Sequence, residues 1–218
     1  MPETKRNPVL RMVATAFAVI KRTGSPAPRA KPVTAAWSAQ LLKQLEWRRF
    51  EELCAACFEM EGYAARIART GADGVVDIHL CAAGADKPSI LVQCKAWDAY
   101  RVGIEPVRRV RVAMTASRIG EGMLVSSGRF TPEAADYAGK NSIRLIDGTA
   151  FLARLAALPP EKSLALLKFA TQGDYLTPTC PCCSVKMVSR KSTRQGRKFW
   201  GCRNYPQCKQ TLPAVMTP

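Results

Sequence analysis

The chain has 218 residues, with 33 Lys and Arg against 17 Asp and Glu, a formal net charge of +16. An apolar fraction of 47% excludes a disordered chain, and the length allows one ordinary domain and a small second one. The positive excess selects for a polyanionic partner, nucleic acid before an acidic membrane surface.

Residues 1–35 are basic and proline-spotted, with GSPAPRAKP at Gly24 to Pro32, and read as a flexible lead-in. Within them Val9 to Ile20 is the best apolar run. Arg11 interrupts it and Lys21-Arg22 closes it, so it is expected to form a short helix that packs weakly or touches a surface, not a membrane span. A helix follows in which Phe50, Leu53, Cys54, Cys57 and Phe58 recur at helical spacing, and Gly62 ends it.

Three strand-like segments come next: YAARIA from Tyr63, VVDIHLCA from Val75 and SILVQCK from Ser89. The turn sequence GADKP between the last two predicts a hairpin. A helix around Pro106 to Ala116 has Val107, Val110 and Met114 on one face and Arg108, Arg109 and Arg111 on the other. GMLVSSG from Gly122 has the composition of a strand covered on both faces. Thr131-Pro132 starts a helix that ends near Asn141, IRLID from Ile143 is the last strand, and Thr149 or Asp147 caps a helix through Leu158. Strands alternating with helices through short loops imply a sheet coated by helices on both sides. The expected fold class is α/β: a three-layer α/β/α core with a central mixed sheet over residues 36–160, a helical linker over 161–178, and a small cysteine module over 179–213.

The chain has nine cysteines. Cys180-x2-Cys183 and Cys202-x5-Cys208 are two thiol pairs separated by a basic hairpin, the arrangement of a tetrahedral four-thiolate Zn²⁺ site. A segment this short cannot bury enough apolar surface to fold alone, so the metal provides the missing stability. Cys182 has the wrong spacing and is read as a spare thiol. Cys54 and Cys57 have redox spacing but lie on the apolar stripe of a helix, where small buried hydrophobes are the simpler reading. Unpaired cysteines in this number suit a reducing compartment, the cytoplasm. The module resembles the zinc finger at the C-terminal end of bacterial type I topoisomerases, through CPCC and FWGCRNYPQC, and the resemblance implies contact with DNA. The sequence after Asp174 carries no acid. Arg190, Lys191, Arg194, Lys198 and Arg203 are candidate phosphate contacts. Of the aromatics, Phe199 and Tyr205 are expected in the finger's own core and Trp200 is the candidate for stacking on bases.

Gln93 and Lys95 are two apart on one strand and so share a face, and Asp77 lies on the neighbouring strand of the proposed hairpin. A carboxylate and an amide oxygen are ligands for a hard cation such as Mg²⁺, and an ammonium beside them can stabilise charge on a phosphate. The same three residues also describe the solvated edge of an ordinary sheet. The segments WRRFEELCAACFEMEGY, GADGVVDI, LVQCKAW, LVSSGRFTPEAADYA and IRLIDG, in this order from about Leu41 to Leu158, resemble the Mrr-like restriction endonucleases of the PD-(D/E)xK superfamily. That resemblance implies a Mg²⁺-dependent DNA endonuclease. In it Asp77 is the metal-binding aspartate, Gln93 the glutamine that replaces the second acid, Lys95 the catalytic lysine and Glu51 the helix acid that completes the site. Twofold cuts would call for a homodimer. Asp73 and Trp97 flank these segments, His79 shares the face of Asp77, and Arg101 with the arginines of the 106–116 helix could track a phosphate backbone. Two other functions remain open on the sequence: a DNA-binding protein with an inactive core, and a structure-selective repair or junction nuclease.

Overall fold

The computed structural model describes residues 36–68, 76–96, 101–193 and 196–214. The lead-in with Val9 to Ile20, and Asp73, Trp97 and Arg194, lie outside these residues. Among the described residues no helix is long and apolar enough to cross a membrane.

The first part of the chain runs α1 (Ala39–Gln44), α2 (Trp47–Met60), β1 (Ala64–Ile67), β2 (Ile78–Cys81), β3 (Ile90–Lys95), α3 (Ile104–Ser117), β4 (Glu121–Ser126), α4 (Pro132–Gly139), β5 (Ile143–Ile146), α5 (Gly148–Ala157) and α6 (Pro160–Ala170). The five strands form one mixed sheet in the order β1-β2-β3-β4-β5. The hairpin expected from GADKP is present: β2 pairs antiparallel with β3, Ile78 opposite Val92. Strands β3, β4 and β5 are parallel, joined by crossovers through α3 and α4.

Alternation along the strands divides the interior in two. Ile90, Val92 and Cys94 face a core built with α2, α5 and α6, where Phe50, Phe58 and Phe151 are fully buried. Leu91 and Leu124 face the other way, onto Val107, Val110 and Met114 of α3 and Ala134 and Ala138 of α4. Three layers result, as the sequence pattern implies. Burying the phenylalanines alone contributes about 2 to 3 kcal/mol each.

Local signals fix the element ends. Gly62 at φ 101° stops α2 in a backbone conformation that a side chain resists. Of the two caps proposed for α5, Asp147 holds the role: its carboxylate accepts from the Ala150 N–H at 2.8 Å. Strand β2 begins at Ile78, three residues later than the apolar run suggested, and Asp77 sits at its mouth. The segment expected to link the two parts packs into the first core through Leu166, Leu167, Phe169 and Tyr175.

The second part is a three-stranded antiparallel sheet of β6 (Val188–Lys191), β7 (Lys198–Gly201) and β8 (Thr211–Pro213). Its interior consists of Met187, Val185, Trp200, Leu212 and the cysteines. So little apolar area cannot hold a fold unaided.

Candidate metal centres

Asp77 is fixed from both ends. Its N–H donates to the Val92 carbonyl at 2.9 Å, and its Oδ2 accepts from the Cys94 N–H at 2.6 Å. The ladder between β2 and β3 begins at the Ile78–Val92 pair, and Asp77 precedes it at the mouth of the hairpin. Gln93 is 2% exposed, and its Oε1 accepts no hydrogen bond. A buried acceptor left unpaired costs about 1 to 3 kcal/mol, and native folds seldom leave one without a use.

Glu51 approaches from α2, which packs across the sheet, and is 8% exposed. Its carboxyl lies close enough to Asp77 for each to act on the other's charge. Burial first, and then the Asp77 charge, push the Glu51 carboxyl from 4.5 up to about 9, against the pull of Arg48 at 3.6 Å. Burial also raises Asp77, offset by the Cys94 N–H, the Lys95 ammonium and Glu51. Burial and the neighbouring Asp77 charge thus favour the neutral form of the Glu51 carboxyl. Lys95 ends β3 half-buried beside Ser126 of β4, close enough for its charge to act on Asp77.

The structure brings the Glu51 carboxyl within reach of Asp77 and sets Lys95 close enough to act on Asp77, while Gln93 lies on β3 between Val92 and Cys94. A divalent cation fits this donor set. Glu51 and Asp77 would hold it as carboxylates, with Gln93 Oε1 available as an uncharged ligand. His79 pairs with Arg66 across β1 and β2, and burial first, then the Arg66 charge, depress its pKa. Cys54 and Cys57 are fully buried in the α2 core, as their apolar spacing suggested.

In the ribbon, the Sγ atoms of Cys180, Cys183, Cys202 and Cys208 all lie within 4.8 Å of one another. Cys180–Cys208 is 3.8 Å and Cys183–Cys202 is 3.9 Å. A tetrahedron with Zn–S bonds of about 2.3 Å has S···S edges of about 3.8 Å, so the four thiols fit a zinc ion. Cys182 is exposed with its Sγ 3.6 Å from Gln210 Oε1, outside the cluster.

The aromatics of the ribbon exchange their expected places. Trp200 packs in the ribbon's core, opposite Leu212 across β7–β8, and is not a free stacking surface. Tyr205 is 61% exposed instead, with the Arg190 guanidinium 5.6 Å above its ring. Arg190 lies along the bare face of Gly201, where a Cβ would come within 2.7 Å of its Cδ. Arg190, Lys191, Phe199, Tyr205 and Lys209 line a groove of about 630 Å³. Tyr205, expected in the finger's core, lies instead on this groove beside Lys209. Lys198 and Arg203 are exposed beside this groove. On α3, Arg108 is tied to Glu105 at 2.9 Å, while Arg109 and Arg111 are exposed.

Comparison with known proteins agrees with both parts. Residues 177–216 match the family described as the topoisomerase DNA binding C4 zinc finger. The DNA topoisomerase 1 of Archaeoglobus fulgidus is 31% identical over 101 residues, which are 46% of this chain and 14% of that protein, so the chain spans only a small fraction of that relative's length. Among solved structures, the MspJI restriction endonuclease in complex with a 27-mer oligonucleotide is 18% identical with a TM-score of 0.47, covering 74% of this chain and 43% of that one. The DNA modification-dependent restriction endonuclease AspBHI is 14% identical with a TM-score of 0.45, over 76% of this chain and 49% of that one. Residues 42–155, more than half the chain, match the catalytic domain of the Mrr-type restriction endonucleases, and the chain belongs to that family.

Proposed function

We propose that this protein is a divalent-metal-dependent DNA endonuclease whose nuclease domain spans 36–160, assisted by a DNA-binding zinc ribbon over 179–213. The observation that carries the reading is the buried Glu51–Asp77 carboxyl pair at the mouth of the hairpin whose other strand carries Lys95 and the orphan Oε1 of Gln93. Glu51, Asp77 and Gln93 would hold the cation, Mg²⁺ being the natural candidate for an all-oxygen set. When bound it supplies Lewis acidity for a water and screens the phosphate.

The chain's own groups do the rest. Asp77, pinned by the Cys94 N–H, keeps its carboxylate fixed through the reaction. Glu51 gives up its proton on cation binding and so turns a neutral acid into a ligand. Gln93 contributes an acceptor without charge, which leaves the charge balance to the two acids. Lys95, at the open end of β3, places an ammonium where charge develops on the scissile phosphate. Electrostatic help of this kind is worth about 3 to 4 kcal/mol per well-placed donor.

The ribbon would hold single-stranded or locally opened DNA, with Tyr205 stacking on a base and Arg190, Lys191 and Lys209 on the phosphates. Cuts in both strands require two such centres, which a homodimer supplies. The unpaired thiols suit the cytoplasm.

The test is plasmid cleavage by zinc-loaded protein with Mg²⁺, without Mg²⁺, and by Lys95→Ala. Nicking that needs Mg²⁺ and falls at least about 10²-fold in Lys95→Ala supports the proposal. Equal nicking by both proteins removes it.

A further inference from the structure

Glu46 belongs to neither metal centre, yet it is 7% exposed and its carboxylate takes four hydrogen bonds. One is local: the Arg48 N–H donates at 3.0 Å, which caps the start of α2. The other three come from the far end of the chain. Thr179 donates its N–H at 3.1 Å and its Oγ1 at 2.9 Å, and Lys186 donates its Nζ at 3.1 Å. Around this node the Trp47 Nε1 donates to the Thr179 carbonyl at 2.8 Å, and the Glu46 N–H donates to Tyr175 at 2.9 Å.

Thr179 immediately precedes the zinc ligand Cys180, and Lys186 closes the same knuckle through its bridge to Thr179. The contacts therefore run from Cys180 through Thr179 and Glu46 to the Arg48 backbone, and the Arg48 side chain reaches Glu51, whose charge acts on Asp77. The ribbon is not a module on a string. Its first knuckle is bolted to the first turn of the helix that carries a nuclease acid.

We propose that Glu46 is a positioning residue that makes the setting of Glu51 depend on zinc in the ribbon. With zinc bound, the knuckle holds Thr179 and Lys186 against Glu46, and the first turn of α2 stays closed. Without zinc a ribbon this small loses its fold. The Glu46 carboxylate is then buried without its partners, a costly state that the helix relieves by opening its first turn. Glu51, just over one turn further along, loses its place beside Asp77. The proposal rests on the reading of Glu51 as a cation ligand, but its clamp can be measured without that reading.

The experiment is amide hydrogen exchange on the full chain, zinc-loaded and zinc-stripped, comparing the amides of residues 48–53 with those of α4, which does not touch the ribbon node. Stripping zinc, and Glu46→Ala in zinc-loaded protein, should each speed exchange in 48–53 at least about 10-fold and leave α4 unchanged. Glu46→Gln keeps an acceptor for Arg48 and Thr179 and should restore most of the protection. If Glu46→Ala does not fold, Thr179→Val removes a single donor and should show a smaller acceleration at the same residues. In parallel, Mn²⁺ affinity at the nuclease centre, read by electron spin resonance, should drop about 10-fold in Glu46→Ala while the ribbon keeps its zinc. Unchanged exchange in 48–53 after zinc removal overturns the clamp. A clamp that responds to zinc with Mn²⁺ affinity unchanged in Glu46→Ala overturns the link to Glu51. Wild-type protein that binds no Mn²⁺ refutes the nuclease-centre reading itself, and the exchange data still decide the clamp.

Discussion

Glu51→Gln should make this protein more stable and its nuclease centre useless. In the absence of a divalent cation Glu51 keeps its proton up to about 9, against an ordinary 4.5. At pH 7 the unfolded chain releases that proton and the folded one retains it, so folding is opposed by about 3 kcal/mol, at about 1.4 kcal/mol per pH unit. Glutamine has the shape of the protonated acid and carries no such cost. The sign follows from proton counts. Between 4.5 and about 9 the folded state binds more protons than the unfolded one, so the Glu51 contribution is full below 4.5 and is lost as pH rises through that window. The variant should therefore match wild type at pH 4 and exceed it by about 3 kcal/mol at pH 7. Urea unfolding of both proteins from pH 4 to 9, zinc-replete and free of Mg²⁺, measures the difference. Adding Mg²⁺ should then stabilise wild type and leave Glu51→Gln where it was. Stability curves that run parallel across the whole pH range would refute the neutral Glu51 carboxyl and with it the buried acid pair.

The same proton gives a linkage in binding. Because Mg²⁺ must displace it, Mg²⁺ affinity should rise with pH up to about 9, with about one proton released per ion, measurable by calorimetry in buffers of different ionisation enthalpy. Tyr205→Ala should weaken binding of single-stranded oligonucleotide by about 1 to 3 kcal/mol in a fluorescence anisotropy titration, whereas Lys209→Ala should mainly lower its salt dependence. Gly148→Ala should destabilise the core by about 2 kcal/mol or more in thermal melts, because a Cβ there would run into the backbone carbonyl of Ser127, which cannot give way as a side chain can.

The sequence showed most of the nuclease core because its signals are local. Period-two alternation, the GADKP turn and the Thr131-Pro132 and Asp147 caps each act over a few residues, and each element appears where they act. The hairpin that brings β2 and β3 together was also readable, from the turn sequence between them. Glu51 was legible only through family resemblance, because nothing periodic tells which turn of a helix crosses which strand. The ribbon aromatics were misread for a related reason. On β7 Phe199 and Trp200 point to opposite faces, so alternation could not say which ring faces inward, and Trp200 packs against Leu212 of β8 in the ribbon's core. Glu46 gave no sign at all: it looks like a common helix cap, and its decisive partner Thr179 is 133 residues away.

The central claim is that Glu51, Asp77 and Gln93 surround one point that accepts a divalent ion. Crystals of zinc-loaded protein soaked in Mn²⁺ and measured at the manganese absorption edge test it most directly. The account expects one anomalous peak in contact with Gln93 Oε1 and both carboxylates, and none there in Glu51→Gln. Manganese bound elsewhere, with Gln93 Oε1 still unpaired, would contradict it.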